Sequence, residues 1–162
     1  MKQQIRFDKT TKILSIVVLL IPVVLFILPI IINKDGNIIP ILTSIFLVIA
    51  FAVAWILHPT SYEITNEELL IHRPKGPIKI SLMDINSIEK TEPGFSIRLF
   101  GSGGLFGYYG IFSSGKLGRH LRYTGNNKDL VFVNAGKKKY LISIHDELFF
   151  DELIKRTKKF EL

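Results

Sequence analysis

Residues 13–57 read ILSIVVLLIPVVLFILPIIINKDGNIIPILTSIFLVIAFAVAWIL, and this stretch decides the architecture. Ile13 to Ile32 is a charge-free run broken only by Ser15, Pro22 and Pro29. Ile38 to Leu57 is a second such run, broken by Pro40, Thr43 and Ser44. As a helix, each run would be about 30 Å long, the thickness of a bilayer's hydrocarbon core. Between them, Asn33-Lys34-Asp35-Gly36-Asn37 are turn formers. Two spans with so short a link must be antiparallel. The reading is a transmembrane hairpin: helix one at 13–32, an extracytoplasmic turn at 33–37, helix two at 38–57. Uncharged runs of this length hardly occur in a small soluble core. The first run also exceeds a signal peptide's apolar region, and no small-residue cleavage site follows it, so it is expected to be retained.

Lysine and arginine near the spans set orientation. Residues 1–12 hold Lys2, Arg6, Lys9 and Lys12 against Asp8, whereas the turn holds Lys34 beside Asp35. The basic N-terminal segment is therefore expected in the cytoplasm, as is everything from His58 onward, making a multi-pass membrane protein with both termini inside. Trp55, near the end of the second run, reads as an interfacial anchor. Pro22 and Pro29 are expected to kink their helix, with Pro40 close to a helix end. Neither run carries an ionisable residue of the kind that marks ion or proton pathways. The spans therefore read as an anchor, with a helix interface to a partner or second copy as the other use.

The rest of the composition follows from this partition. The chain has 162 residues, 48% hydrophobic, with a net charge of +7 and no cysteine, and its mean hydropathy is +0.31. Absence of cysteine excludes disulfides and thiolate metal sites. The apolar content excludes disorder. Most of the hydropathy belongs to residues 13–57. The remaining domain, residues 58–162, is only mildly basic, with Lys and Arg diluted by acidic residues, which is not a nucleic-acid pattern.

In that domain, short alternating strands are separated by turn signals. Tyr62 and Ile64, Leu69 to Ile71, Ile78 to Leu82, Ile85 to Lys90, Phe95 to Leu99, Leu121 with Tyr123, Leu130 to Val133, and Tyr140 to Ile144 carry the pattern. Pro74 to Pro77, Pro93-Gly94, Gly125 to Asn127 and Ala135-Gly136 punctuate it. Ser81 to Asp84 reads as a small capping box on one helical turn. The period then changes: Phe149, Phe150, Leu153, Ile154, Thr157 and Phe160 fall on one helix face, with acidic residues early and basic residues late. Seven or eight short antiparallel strands and one C-terminal amphipathic helix predict a mainly-β barrel or sandwich with one end plugged by that helix.

Four segments carry a resemblance: Tyr62-Glu-Ile-Thr65, Ile80-Ser-Leu-Met-Asp-Ile85, Gly101-Ser-Gly-Gly-Leu-Phe-Gly-Tyr-Tyr-Gly110, and Tyr140-Leu-Ile-Ser143 ahead of Phe149. They resemble the pleckstrin-homology (PH) superfold, and more specifically the bacterial PH-like domains of small membrane proteins with two preceding spans. The resemblance implies a fold and a location, with no catalytic residue to carry over. Eukaryotic relatives hold phosphoinositides on a basic first-hairpin loop. Here that loop is the short, acidic Thr65-Asn66-Glu67-Glu68, so no specific phosphoinositide site is expected.

The segment Gly101 to Gly118 holds seven glycines. Gly110 to Leu117 has the spacing of a phosphate-binding loop, but Leu117 stands where a hydroxyl is needed for Mg²⁺. Two readings remain open: its aromatics pack over an open end of the β domain, or Leu105, Phe106, Tyr108, Tyr109, Ile111 and Phe112 form an apolar tip for the bilayer or a partner. In the second case Lys116, Arg119 and Arg122 would lie near anionic headgroups. The glycines with Arg98, Arg119 and Arg122 could mimic an anion site, but their spacing is unspecific. Lys137 to Lys139 read as a solvated hairpin edge, with attraction to a membrane surface as the other use. His58, His72, His120 and His145 lack metal-ligand spacing. Asp146 reads as a helix N-cap, and Ser113 and Ser114 lack a nucleophile-elbow context. The expectation is a membrane-anchored, non-catalytic interaction or scaffold module with no cofactor and no metal. It would have the bilayer and a second copy or membrane protein as partners. The alternatives are a lipid-surface sensor working through the glycine-rich loop and, less favoured, an accessory subunit of a membrane enzyme or transporter.

Overall fold

A computed structural model describes residues 1–32, 38–92 and 94–158. The expected turn at 33–37, Pro93, Lys159 and Phe160 lie outside the described residues. The chain opens with a strand, β1 (Lys2–Gln4), followed by helices α1 (Lys9–Ile32) and α2 (Ile39–Leu57). Asp8 caps α1, its Oδ1 accepting from the Thr11 N–H at 2.6 Å. The helix therefore starts four residues ahead of the apolar run and continues through positions 22 and 29. Pro40 sits in the first turn of α2, where its missing N–H has no helical partner to lose. Pro59, just past His58, ends α2. The two helices pack on each other and, with so short a link, run antiparallel. Among the described residues α2 is long and apolar enough to cross a bilayer, by length and composition.

Nine further strands follow: β2 (Ser61–Ile64), β3 (Glu68–His72), β4 (Ile78–Ser81), β5 (Ile85–Thr91), β6 (Ser96–Gly104), β7 (Gly107–Ser114), β8 (Gly118–Thr124), β9 (Leu130–Ala135) and β10 (Lys138–Ser143). They form two sheets, ordered β1-β2-β3-β4 and β5-β9-β10-β8-β7-β6. The domain is thus a mainly-β sandwich closed by a C-terminal helix, α3 (Glu147–Lys158). Tyr62, Ile64, Leu69 and Ile71 from one sheet meet Val131, Val133 and Ile142 from the other, with Phe149 and Leu153 of α3 joining them. Tyr62 is fully buried, and its hydroxyl is satisfied by donating to the Tyr123 carbonyl at 2.5 Å and accepting from the Ser143 N–H at 3.1 Å. Burial pushes its phenol up to about 12.

Three sequence expectations are corrected. Among the described residues there are ten strands rather than seven or eight, because the glycine segment folds as most of a long hairpin and residues 2–4 add an edge strand to β2. The strands are not all antiparallel: β10 folds back between β9 and β8 and so runs parallel to β8. Ser81 precedes a single 3-10 turn (Leu82–Asp84), but its side chain makes no capping bond. Asp146 does cap α3, its Oδ1 accepting from the Leu148 N–H at 3.0 Å.

Candidate functional site

The glycine segment builds the joint between the β domain and the helices. β6 and β7 pair through Gly101↔Gly110 and close at Gly104↔Gly107. Gly101 and Gly110 have φ of 108° and 118°, and a Cβ on either would fall 2.1–2.2 Å from the carbonyl oxygen of Tyr109 or Phe100. Only glycine permits that backbone and that approach. The turn itself places Phe106 at φ 54°. For a bulky residue this left-handed conformation is strained by about 1 kcal/mol. Three contacts offset the strain. The Phe106 ring stands edge-on to Phe51 (4.9 Å between centroids) and Trp55 (5.1 Å), and 5.7 Å from His58. Its backbone N–H donates to Ser15 Oγ at 2.9 Å, tying the turn to α1 as well.

The end of α2 is held by the same domain. The last four carbonyls of a helix lack helical partners. Here Ala54 accepts from the Tyr109 hydroxyl at 2.7 Å, Trp55 from His58 Nδ1, and Ile56 from the Lys75 N–H at 2.9 Å. Burial pushes the Tyr109 phenol up to about 12, so it is a donor at any physiological pH. On the other side, the Ile5 N–H donates to Thr60 at 3.0 Å and the Asp8 N–H to Gly125 at 3.2 Å. The chain before α1 and the chain after α2 are therefore locked to one sandwich.

The structure separates the residues that the sequence grouped. Phe106 rests on the helices of its own chain. Leu105 beside it is half-buried, and its carbonyl accepts from Ser102 Oγ. Tyr109 and Phe112 are buried on opposite faces of β7, Tyr109 in the core between the sheets and Phe112 beneath Arg122 on the outer face, and Ile111 is half-buried. Lys116 and Arg119 are exposed at the far end of β7 and the start of β8, roughly 25 Å along the strand from the tip, so β7 carries them away from the helices. Trp55 is half-exposed next to the tip.

Arg122 lies instead on the outer face of the larger sheet. Its register partner is Gly110, which faces Gly101 in turn, so the positions directly across from it carry no side chain. The guanidinium lies over the rings of Tyr108 (4.7 Å) and Phe112 (5.5 Å). Its Nε donates to Thr124 Oγ1 at 3.0 Å, and Nη2 donates to Asn127 Oδ1. Beyond it, β6 is the open edge of the sheet. Phe95 (87% exposed), Ile97 (56%), Leu99 (55%) and Phe100 (71%) line that edge, a feature the sequence reading missed by treating them as one more alternating strand. Among the described residues no three His, Cys, Asp or Glu side chains gather as a metal site would require.

The fold is a two-sheet β sandwich with one closing helix, and its prominent surfaces are a hairpin joint and an open apolar edge. A family model described as Bacterial PH domain matches residues 60–157. The chain belongs to the bacterial PH domain family. No curated protein matches it, and no solved structure does.

Proposed function

We propose that this bacterial PH domain is anchored in the cytoplasmic membrane by α1 and α2 and serves there as a non-catalytic interaction module. Both helices expose apolar side chains along their length, among them Ile13, Ile16, Leu20, Phe46, Ile49 and Val53, as lipid-facing spans do. The pairing of β1 with β2 supports a hairpin that enters and leaves the bilayer on one side. The basic residues of the N-terminal segment favour the cytoplasmic side.

The open β6 edge carries the interaction reading. Its apolar side chains and unpaired backbone groups are the features that sheet edges normally hide. A second copy of the chain, or a strand of a membrane protein, covers them by extending the sheet. Extraction in a neutral detergent followed by mass measurement tests this. The expected result is a discrete homo-oligomer or a stoichiometric membrane protein partner, reduced to a lone chain by Ile97→Lys with Phe100→Lys. A wild-type chain that is monomeric and partnerless would overturn the reading.

A further inference from the structure

The outer face of β6, β7 and β8 holds a groove of about 640 Å³ lined by Arg98, Arg122, Tyr108, Phe112, Ser96 and Asn127 among others. No acidic residue lines it among the described residues. Arg122 is only 5% exposed, yet it makes no salt bridge among the described residues. Its hydrogen-bond partners there are neutral: Thr124 Oγ1, the Asn126 carbonyl at 3.4 Å and Asn127 Oδ1. Asp8 acts on it electrostatically, but the Asp8 carboxylate is engaged at the start of α1. Arg122 Nη1 has no hydrogen bond to a described residue. A buried cation without a salt-bridge partner is costly, and a bound anion reduces that cost. Arg98, on the edge strand β6 across β7 from Arg122, lines the same groove; a Cβ at Gly103 would touch its Nη1 at 3.1 Å.

We propose that the Arg98–Arg122 groove binds a phosphoryl oxyanion. Two guanidinium groups present planar donor pairs that match phosphate oxygens. Tyr108 and Phe112 hold the inner guanidinium in place, and Ser96 and Asn127 supply neutral polar groups at the rim. The groove lies next to the strand pair that reaches α1, with Gly103 and Tyr108 one step from the closing Gly104↔Gly107 pair. A phosphate in it is therefore carried by a lipid headgroup or arrives free in solution. The proposal does not depend on what covers the β6 edge.

The full chain in neutral detergent provides the test, with two probes. One is phosphatidylglycerol, followed as a stoichiometric adduct by native mass spectrometry. The other is inorganic phosphate against chloride at equal ionic strength, followed by thermal unfolding. Wild type is expected to bind at least one probe at one site per chain. Binding of the lipid alone assigns the headgroup as source, and a phosphate-induced rise in stability assigns the free anion. Arg98→Gln, at an exposed position that leaves the fold intact, should weaken binding about tenfold. Arg119→Gln, an exposed arginine outside the groove, should bind like wild type. Arg122→Gln should abolish binding; if it fails to fold, Arg98→Gln decides. Absence of binding to both probes by wild type, or equal binding by wild type and Arg98→Gln, would overturn the proposal. So would an equal loss in Arg119→Gln.

Discussion

The hydroxyl of Tyr109, on strand β7, donates a 2.7 Å hydrogen bond to the backbone carbonyl of Ala54, in the last turn of α2. A group with no partner in its own helix is thereby satisfied by the β domain. Tyr109→Phe keeps the ring and strands that carbonyl, at a cost of about 1–2 kcal/mol. The expected signs are a lower unfolding midpoint and faster amide exchange confined to the end of α2 and the β6–β7 hairpin. Unchanged exchange there would mean the joint is held without this bond.

Gly101 should tolerate no side chain. Its Cβ would approach the Tyr109 carbonyl oxygen to 2.1 Å at a φ of 108°, so backbone must move. Gly101→Ala is expected to destabilise by more than about 2 kcal/mol. Gly115→Ala, in the β7–β8 turn with nothing within 4 Å, should be close to neutral. Thermal unfolding of the two variants side by side checks the contrast.

His120 makes stability depend on pH. It is buried, stacks on Phe112 at 6.4 Å, and leaves Nε2 without a partner among the described residues. Burial holds its pKa below the ordinary 6.5, and the nearby Arg122 adds to the effect. The unfolded chain therefore takes up a proton first as pH falls. Stability is full above about 6.5 and declines below it, until the folded-state imidazole also protonates. His145, lowered in the same sense, contributes likewise. Unfolding midpoints between pH 7.5 and 5 should fall in wild type and fall less in His120→Gln. Equal slopes would rule His120 out as the cause.

The strands from Tyr62 to Ile71 and from Leu130 to Ile144, and the face of α3, were legible because burial on one side imposes a clear period. Asp146 was legible as a cap for a similar reason: it precedes an amphipathic run. The glycine segment was not legible as a hairpin. Strand β7 alternates Tyr109 inward with Tyr108 outward, and Gly107 and Gly110 interrupt the apolar pattern. Nothing local told the sequence reading that Phe106 would find Phe51 and Trp55, fifty residues away. Arg122 was noticed and its setting missed, since its groove depends on the cross-strand register with Gly110 and on Arg98 from a third strand. In residues 2–4 the sequence shows nothing beyond the charge of Lys2. A three-residue strand has too little period to announce itself, and its partner β2 lies beyond both helices.

The anchored arrangement with both ends in the cytoplasm is tested most directly by paired reporter fusions in the full chain. A reporter active only outside the cytoplasm should be active when inserted at Gly36 and silent when fused after Leu162. Activity after Leu162 with silence at Gly36 would reverse the orientation and contradict the account. Activity at neither position would contradict the two spans themselves.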